Sequence, residues 1–351
     1  MIPDLGIIEG YYGKPWSDER REHAIAFLKP HGYGFFLYAP KADEFLRKRW
    51  REPYPKEAEE LLRRIAAHCK AHGVRFGVGL SPYELYRDFS DDAKTALAEK
   101  LALFNSIGVE MLAILFDDMR GDVPDLARTQ TDVLHWIASR AHAPRLLMCP
   151  SYYTDDPVLD RVFGHRPANY LEDLGRLLDP VINVFWTGEE VCSREYSVGH
   201  LARVESQLRR KPFLWDNYPV NDGARMSQFL HLRAFTGRPA AIAENLSGHA
   251  INPALQPTLS LIPALTLVES YERGEVYEYG AAFLRAAKTV LEDDLAQSVQ
   301  ADIIALQDTG LDRLGDRAAR LRERYAKFDH PGAKEIVNWL DGEYCFTTEI
   351  A

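Results

Sequence analysis

Eight short apolar runs alternate with helical patterns over most of the 351-residue chain, and most of those runs end in polar or aromatic residues suited to binding. These two observations predict an α/β fold, a (β/α)8 barrel of TIM type followed by a short C-terminal helical extension. Length agrees, since α/β barrels of this size form single units. The expected division is a catalytic barrel over residues 1–275 and a helical extension over 276–351 packed on it.

The first run, residues 5–12 (LGIIEGYY), is followed after Pro15 by Ser17, Asp18 and Glu19, an N-cap with an acidic first turn for a helix reaching Leu28. The second run is 35–40 (FFLYAP). A charged, aromatic loop (KADEFLRKRWREPYP) leads to a helix from Lys56 whose Ala58, Leu61, Leu62, Ile65 and Cys69 share one face, with Gly73 ending it. The third run, 75–82 (RFGVGLSP), precedes a helix capped by Ser90 that turns Leu97, Leu101 and Phe104 inward. The fourth, 111–120 (MLAILFDDMR), leads to a helix over 125–141, and the fifth is 145–153 (RLLMCPSYY). An irregular helical region then leads to the sixth, 181–188 (VINVFWTG), and the seventh is PFLWDNYP around Phe213. The last lies within 240–252, where AAIAEN and SGHAIN both have strand composition. Beyond Pro253 the pattern is helical over 259–272, 280–296 and 311–326, with a closing helix carrying Ile336, Trp339 and Leu340. Trp339, Tyr344 and Phe346 need an apolar surface, so the tail is expected to pack on the barrel.

Lys and Arg number 42 against 52 Asp and Glu, a formal charge of −10. Such a balance argues against nucleic acid or an anionic membrane as the main partner. The N-terminal MIPDLGIIEGYYGKPW has no basic segment leading into a long apolar one, and no run is long enough to span a bilayer. Cys69, Cys149, Cys192 and Cys345 are widely spaced with no CxxC pair, which fits reduced thiols better than a disulfide framework or a zinc site. A cytoplasmic setting is expected, although a secreted form stripped of its leader would read the same. Oligomeric state stays open. His68 and His72 have metal-ligand spacing on a helix, but without a companion carboxylate they read as a solvated face.

In barrels of this type the active site gathers at the C-terminal ends of the strands. Those ends carry residues 9–12, Lys41 and Asp43, Asp117 and Asp118, residues 151–153, Trp186 and Thr187, residues 215–217, and Asn221 with Asp222. Aromatic faces interleaved with carboxylates and amides are the chemistry of a sugar site, although any one aromatic is as well explained by closure of the barrel top. Asp117 and Asp118 stand out, because burying neighbouring carboxylates is costly. Either they are a general acid and its partner in a cleft, or they open a loop and cap the next helix. Glu9 reads as a brace that holds the site through hydrogen bonds.

The blocks GIIEGYYGKPW, YAPKAD with WREPYP, LFDDM, CPSYY, FWTG with Val191 and Ser193, LWDNYPVND, and INP at 251–253 occur in that order. Together they resemble glycoside hydrolase family 84, whose members are β-N-acetylglucosaminidases, including protein O-GlcNAcases and bacterial hyaluronidase-like enzymes. The resemblance spans residues 5–270 and favours SGHAIN as the eighth strand. It implies that Asp118 is the general acid/base and that Asp117 orients the substrate's 2-acetamido group, whose oxygen attacks the anomeric carbon to give an oxazoline. It further implies that Tyr153 hydrogen-bonds the acetamido oxygen, that Trp215 and Asn217 line the pocket beside it, and that Gly10 (through its backbone), Lys41, Asp222 and Asn252 bind sugar hydroxyls. Two departures stand at the expected rim: Tyr152, where some members carry an acidic residue, and Ala42, where others carry Asp. The implied activity is a retaining exo-β-N-acetylglucosaminidase needing no cofactor and no metal. Its partner would be an N-acetylglucosamine-containing glycoside or glycoprotein, with O-GlcNAc-modified protein among the candidates. Two alternatives remain: a weakly active or non-catalytic barrel that binds N-acetylated sugars, and a two-carboxylate glycosidase with Glu9 or Asp222 as nucleophile.

Overall fold

The structure, a computed structural model, describes residues 2–346. Its strands are β1 (Leu5–Glu9), β2 (Tyr33–Tyr38), β3 (Arg75–Leu80), β4 (Met111–Leu115), β5 (Arg145–Cys149), β6 (Asn183–Trp186), β7 (Phe213–Asp216) and β8 (Gly248–Ile251). They pair in parallel, in sequence order, as a closed barrel. Closure is direct, with Leu5, Gly6 and Ile7 opposite His249, Ala250 and Ile251. Strands covered on both faces need apolar side chains at nearly every position, which is why the runs are continuous rather than alternating.

Helices α1 (Asp18–Leu28), α2 (Lys56–Ala71), α3 (Asp91–Ile107) and α4 (Leu126–Ala138) cross over between the first five strands. Ser17 and Ser90 cap α1 and α3 by accepting from Arg20 N–H and Ala93 N–H. The irregular region after β5 contains α5 (Val158–Phe163) and α6 (Tyr170–Leu177); α7 (Val198–Leu208) and the short α8 (Gly223–Met226) complete the circuit. Inside the barrel an edge-to-face series runs Phe35 to Phe213 to Phe185 to Trp215, with ring centroids 5.6, 5.2 and 5.3 Å apart. Gly6 makes room for it, since a Cβ there would lie 2.3 Å from the Phe35 ring. At the N-terminal end Asp4 bridges Arg75 and Arg145, far from the strand ends where a site is expected.

The eighth strand falls within SGHAIN, whereas AAIAEN forms a 3-10 turn, Ala240–Asn245. After α9 (Pro257–Arg273) the helices differ from the periodic pattern. The stretch expected as one helix over 280–296 is two, α10 (Tyr279–Leu291) and α11 (Asp293–Ile304), because Glu292 adopts φ 67° and breaks the helical path. The helix expected from 311 begins as a 3-10 turn, Leu311–Arg313, and α12 (Arg317–Tyr325) starts only after Gly315 at φ 53°. In α13 (Pro331–Leu340) Trp339 is fully buried and donates to the Ser227 carbonyl at 3.1 Å. Tyr344 and Phe346 are partly buried against the core. No helix among the described residues is long and apolar enough to cross a membrane.

Candidate active site

At the C-terminal ends of the strands a cavity of about 190 Å3 opens, and Gly10, Lys41, Asp117, Asp118, Tyr153, Trp215, Asn217, Asp222 and Asn252 all line it. Every strand end except that of β3 contributes. Gly10 is a position where side-chain size decides, because a Cβ would lie 2.4 Å from the Trp215 indole. Asp117 is buried, and one of its oxygens, Oδ2, pairs with the equally buried Lys41 ammonium. The other, Oδ1, has no hydrogen-bond partner among the described residues. Asp118 is half-buried with φ 56°, and its carboxylate accepts from Tyr12 Oη at 2.9 Å and Tyr153 Oη at 3.2 Å.

A chain of amides crosses the opposite wall. Asn217 donates to the Val191 carbonyl at 2.8 Å, and its Oδ1 accepts from Trp215 Nε1 at 3.1 Å and Asn252 Nδ2 at 3.0 Å. Asn252 Oδ1 in turn accepts from Gly10 N–H at 3.3 Å. Asp222 accepts from Tyr12 N–H at 2.8 Å, and burial raises its carboxyl above the usual range despite that bond and the Lys41 charge. Burial, with the Asp118 charge adding to it, likewise raises both the Tyr12 and Tyr153 phenols. Behind the wall Asp216 is fully buried, and although burial opposes its charge, Arg238 and His249 hold it below the usual carboxylate range. Arg238 also donates to the carbonyls of Ser193, Arg194 and Thr236, which ties the loop after β6 to β7.

Several polar strand-end residues turn away from the cavity. Glu9 is fully buried, paired with Arg21 at 2.7 Å and accepting from Trp16 N–H, so it braces the loop after β1 and has no path to a sugar. Asp43 caps a 3-10 turn and accepts from Tyr54. Tyr152, expected at the rim, is buried with its hydroxyl on the Gly164 carbonyl at 2.6 Å. Trp186 bonds His200, and Asn221 holds the Phe229 carbonyl and the Gln256 side chain. His68 Nε2 contacts the Glu22 carbonyl at 2.9 Å. Among the described residues no group of three or more His, Cys, Asp or Glu is arranged to hold a metal ion.

Sequence reasoning left Tyr12, Cys149, Thr187, Val191, Cys192 and Val220 unassigned, and all of them line the cavity. Tyr12 had a signal, since it stands two residues beyond Gly10 on an extended segment and so shares its face. Cys192 had none, because it lies on a loop whose path periodicity does not describe.

A family model described as NAGidase, beta-N-acetylglucosaminidase, matches residues 5–306. Protein O-GlcNAcase of Mus musculus is 29% identical over 277 residues, covering 76% of this chain and 30% of that protein. The protein of the same name from Rattus norvegicus gives the same identity and coverage. The chain therefore spans about a third of the length of these relatives. Among solved structures, an O-GlcNAc hydrolase mutant from Thermobaculum terrenum matches with a TM-score of 0.80 at 29% identity, over 98% of this chain and 81% of that one. Because the family match runs through all eight strands and every residue lining the cavity, the chain belongs to the beta-N-acetylglucosaminidase family of glycoside hydrolases, family 84.

Proposed function

We propose that this protein is a retaining exo-β-N-acetylglucosaminidase that removes terminal β-linked N-acetylglucosamine by substrate-assisted catalysis. The observation that carries this reading is the asymmetry of Asp117, with Oδ2 taken by Lys41 and Oδ1 buried without a partner among the described residues. A buried anionic oxygen needs a donor, and the N–H of a 2-acetamido group supplies one. Held there, the amide turns its oxygen on the anomeric carbon. That oxygen bonds to C1 as the C1–aglycone bond breaks, Asp118 gives its proton to the departing oxygen, and Asp117 offsets the positive charge spreading into the amide. Water then adds to C1, loses its proton to Asp118, and the oxazoline reopens with configuration retained.

In this account the Gly10 N–H, Lys41, Asp222 and Asn252 bind sugar hydroxyls, while Trp215 and Asn217 border the acetamide. A cavity near the size of one hexosamine supports exo action. Residues 1–275 carry the chemistry and 276–351 form a helical extension that braces them. A protein Ser or Thr aglycone is the class named by the O-GlcNAcase relatives. The unpaired thiols of Cys69, Cys149, Cys192 and Cys345 support a reducing, cytoplasmic setting. Hydrolysis of an aryl β-N-acetylglucosaminide, strongly inhibited by an oxazoline-mimicking thiazoline, is expected. Turnover that thiazoline leaves untouched would favour a two-carboxylate route, and sugar binding with no turnover would leave a non-catalytic barrel.

A further inference from the structure

Both oxygens of the Asp118 carboxylate are occupied by phenol donors, Oδ2 by Tyr12 and Oδ1 by Tyr153. Two donors favour the anion, yet a general acid must meet the glycosidic oxygen with a proton in place. The two phenols are not equivalent. Tyr12 is fixed by its own N–H on Asp222, and its ring lies under the Lys41 and Arg47 cations at 5.9 and 5.7 Å. The Tyr153 hydroxyl has Asp118 as its one hydrogen-bond partner among the described residues. Asp117, Lys41, Arg47, Cys149 and Asp222 also face this carboxylate, and none of them donates to either oxygen.

A trans amide carries its N–H and C=O on opposite edges. A sugar whose N–H meets Asp117 Oδ1 therefore turns its carbonyl oxygen to the other side of the acetamide, where a phenol free to leave its partner is available. We propose that Tyr153 changes partner when substrate binds, releasing Asp118 Oδ1 and donating to the acetamido oxygen, while Tyr12 stays on Oδ2 as a positioning residue. This rests on the proposed N-acetylglucosaminidase activity. Released Oδ1 takes a proton from solvent, gives it to the aglycone oxygen as the C1–O bond breaks, and recovers one from the water that opens the oxazoline. The donor that keeps the carboxylate charged in the free protein is thus removed by the substrate that needs it protonated.

The test is the pH profile on a β-N-acetylglucosaminide with a poor leaving group. In the wild type the alkaline limb of kcat, which reports the complex, should lie about one pH unit above that of kcat/KM, which reports the free enzyme. In Tyr153→Phe both limbs should coincide at the higher position, whereas in Tyr12→Phe both move up and the gap persists. A tyrosine with only a structural role would lower rates without moving a limb. Coincident limbs in an active wild type overturn the exchange. Should Tyr153→Phe be too slow to profile, calorimetry of N-acetylglucosamine binding to the wild type, in buffers of different ionisation heat, reads the same event. Proton uptake is expected near the kcat/KM limb, and its absence overturns the proposal. Failure of the wild type to hydrolyse any β-N-acetylglucosaminide would instead fail the parent reading.

Discussion

Asp118 at φ 56° explains how neighbouring carboxylates come to share one cavity. Successive residues on a strand point to opposite faces, so continued β geometry beyond Leu115 would send one of the two outward. A left-handed residue breaks the alternation, and Asp is among the few residue types that tolerate it. The cost of that conformation is of a kind that accumulates at functional sites. Asn tolerates it as well, so Asp118→Asn should keep the backbone and lose only the proton. Its kcat/KM is expected to fall by about 10²–10⁴-fold for poor leaving groups and much less for good ones, measured across a series of aryl glycosides. Asp117→Asn should fall for every member of the series, because the lost contact is with the acetamide; a rescue by good leaving groups would exchange the two roles. The sequence carried the pair and its place at a strand end. It did not carry the turn that aims both inward, because Asp in the left-handed region looks like Asp anywhere else.

At the scale of elements, what was legible followed one rule. A run or helix was visible where one periodicity held throughout, as in β4 or α2, and invisible where a single residue's backbone broke it. Glu292 and Gly315 divide helices that the apolar spacing joins, and only the glycine announces itself. The start of α9 shows another illegible feature, a cap supplied from far along the chain. Glu335 of α13 accepts the N–H groups of Thr258 and Leu259, each at 2.9 Å. Burial raises its carboxyl to about 7, with the two N–H bonds pulling the other way. An unfolded Glu titrates near ~4.3, so between these values the folded protein keeps a proton that the unfolded chain releases. The associated stability is fully present below the unfolded value and is lost as pH rises through the folded one, on the order of 2–4 kcal/mol. The melting temperature of the wild type should therefore fall more between about pH 5 and 8 than that of Glu335→Gln, which cannot titrate. Equal slopes would remove Glu335 as the source.

For the whole molecule, the barrel and the tail are joined through the same two connections that hold sugar-facing residues. Trp339 donates to Ser227, five residues beyond Asp222 at the end of α8, and Glu335 caps α9, which starts just after Asn252. The apolar tail residues made packing on the barrel readable from sequence, but not the place, since the Trp339 contact joins residues 112 apart. Trp339 is fully buried, so Trp339→Ala should cost roughly 3–5 kcal/mol. Spread over the unfolding entropy of a chain this long, that is a drop of about 5 °C in Tm. A second effect follows if the tail braces those connections. Asp222 and Asn252 are proposed to bind hydroxyls rather than the reacting atoms, so loosening them should raise KM while kcat holds. Steady-state kinetics well below the melting range would separate the possibilities. A raised KM would mean that the tail holds the substrate-binding wall in register, whereas a lower Tm with KM unchanged would reduce it to a source of stability alone.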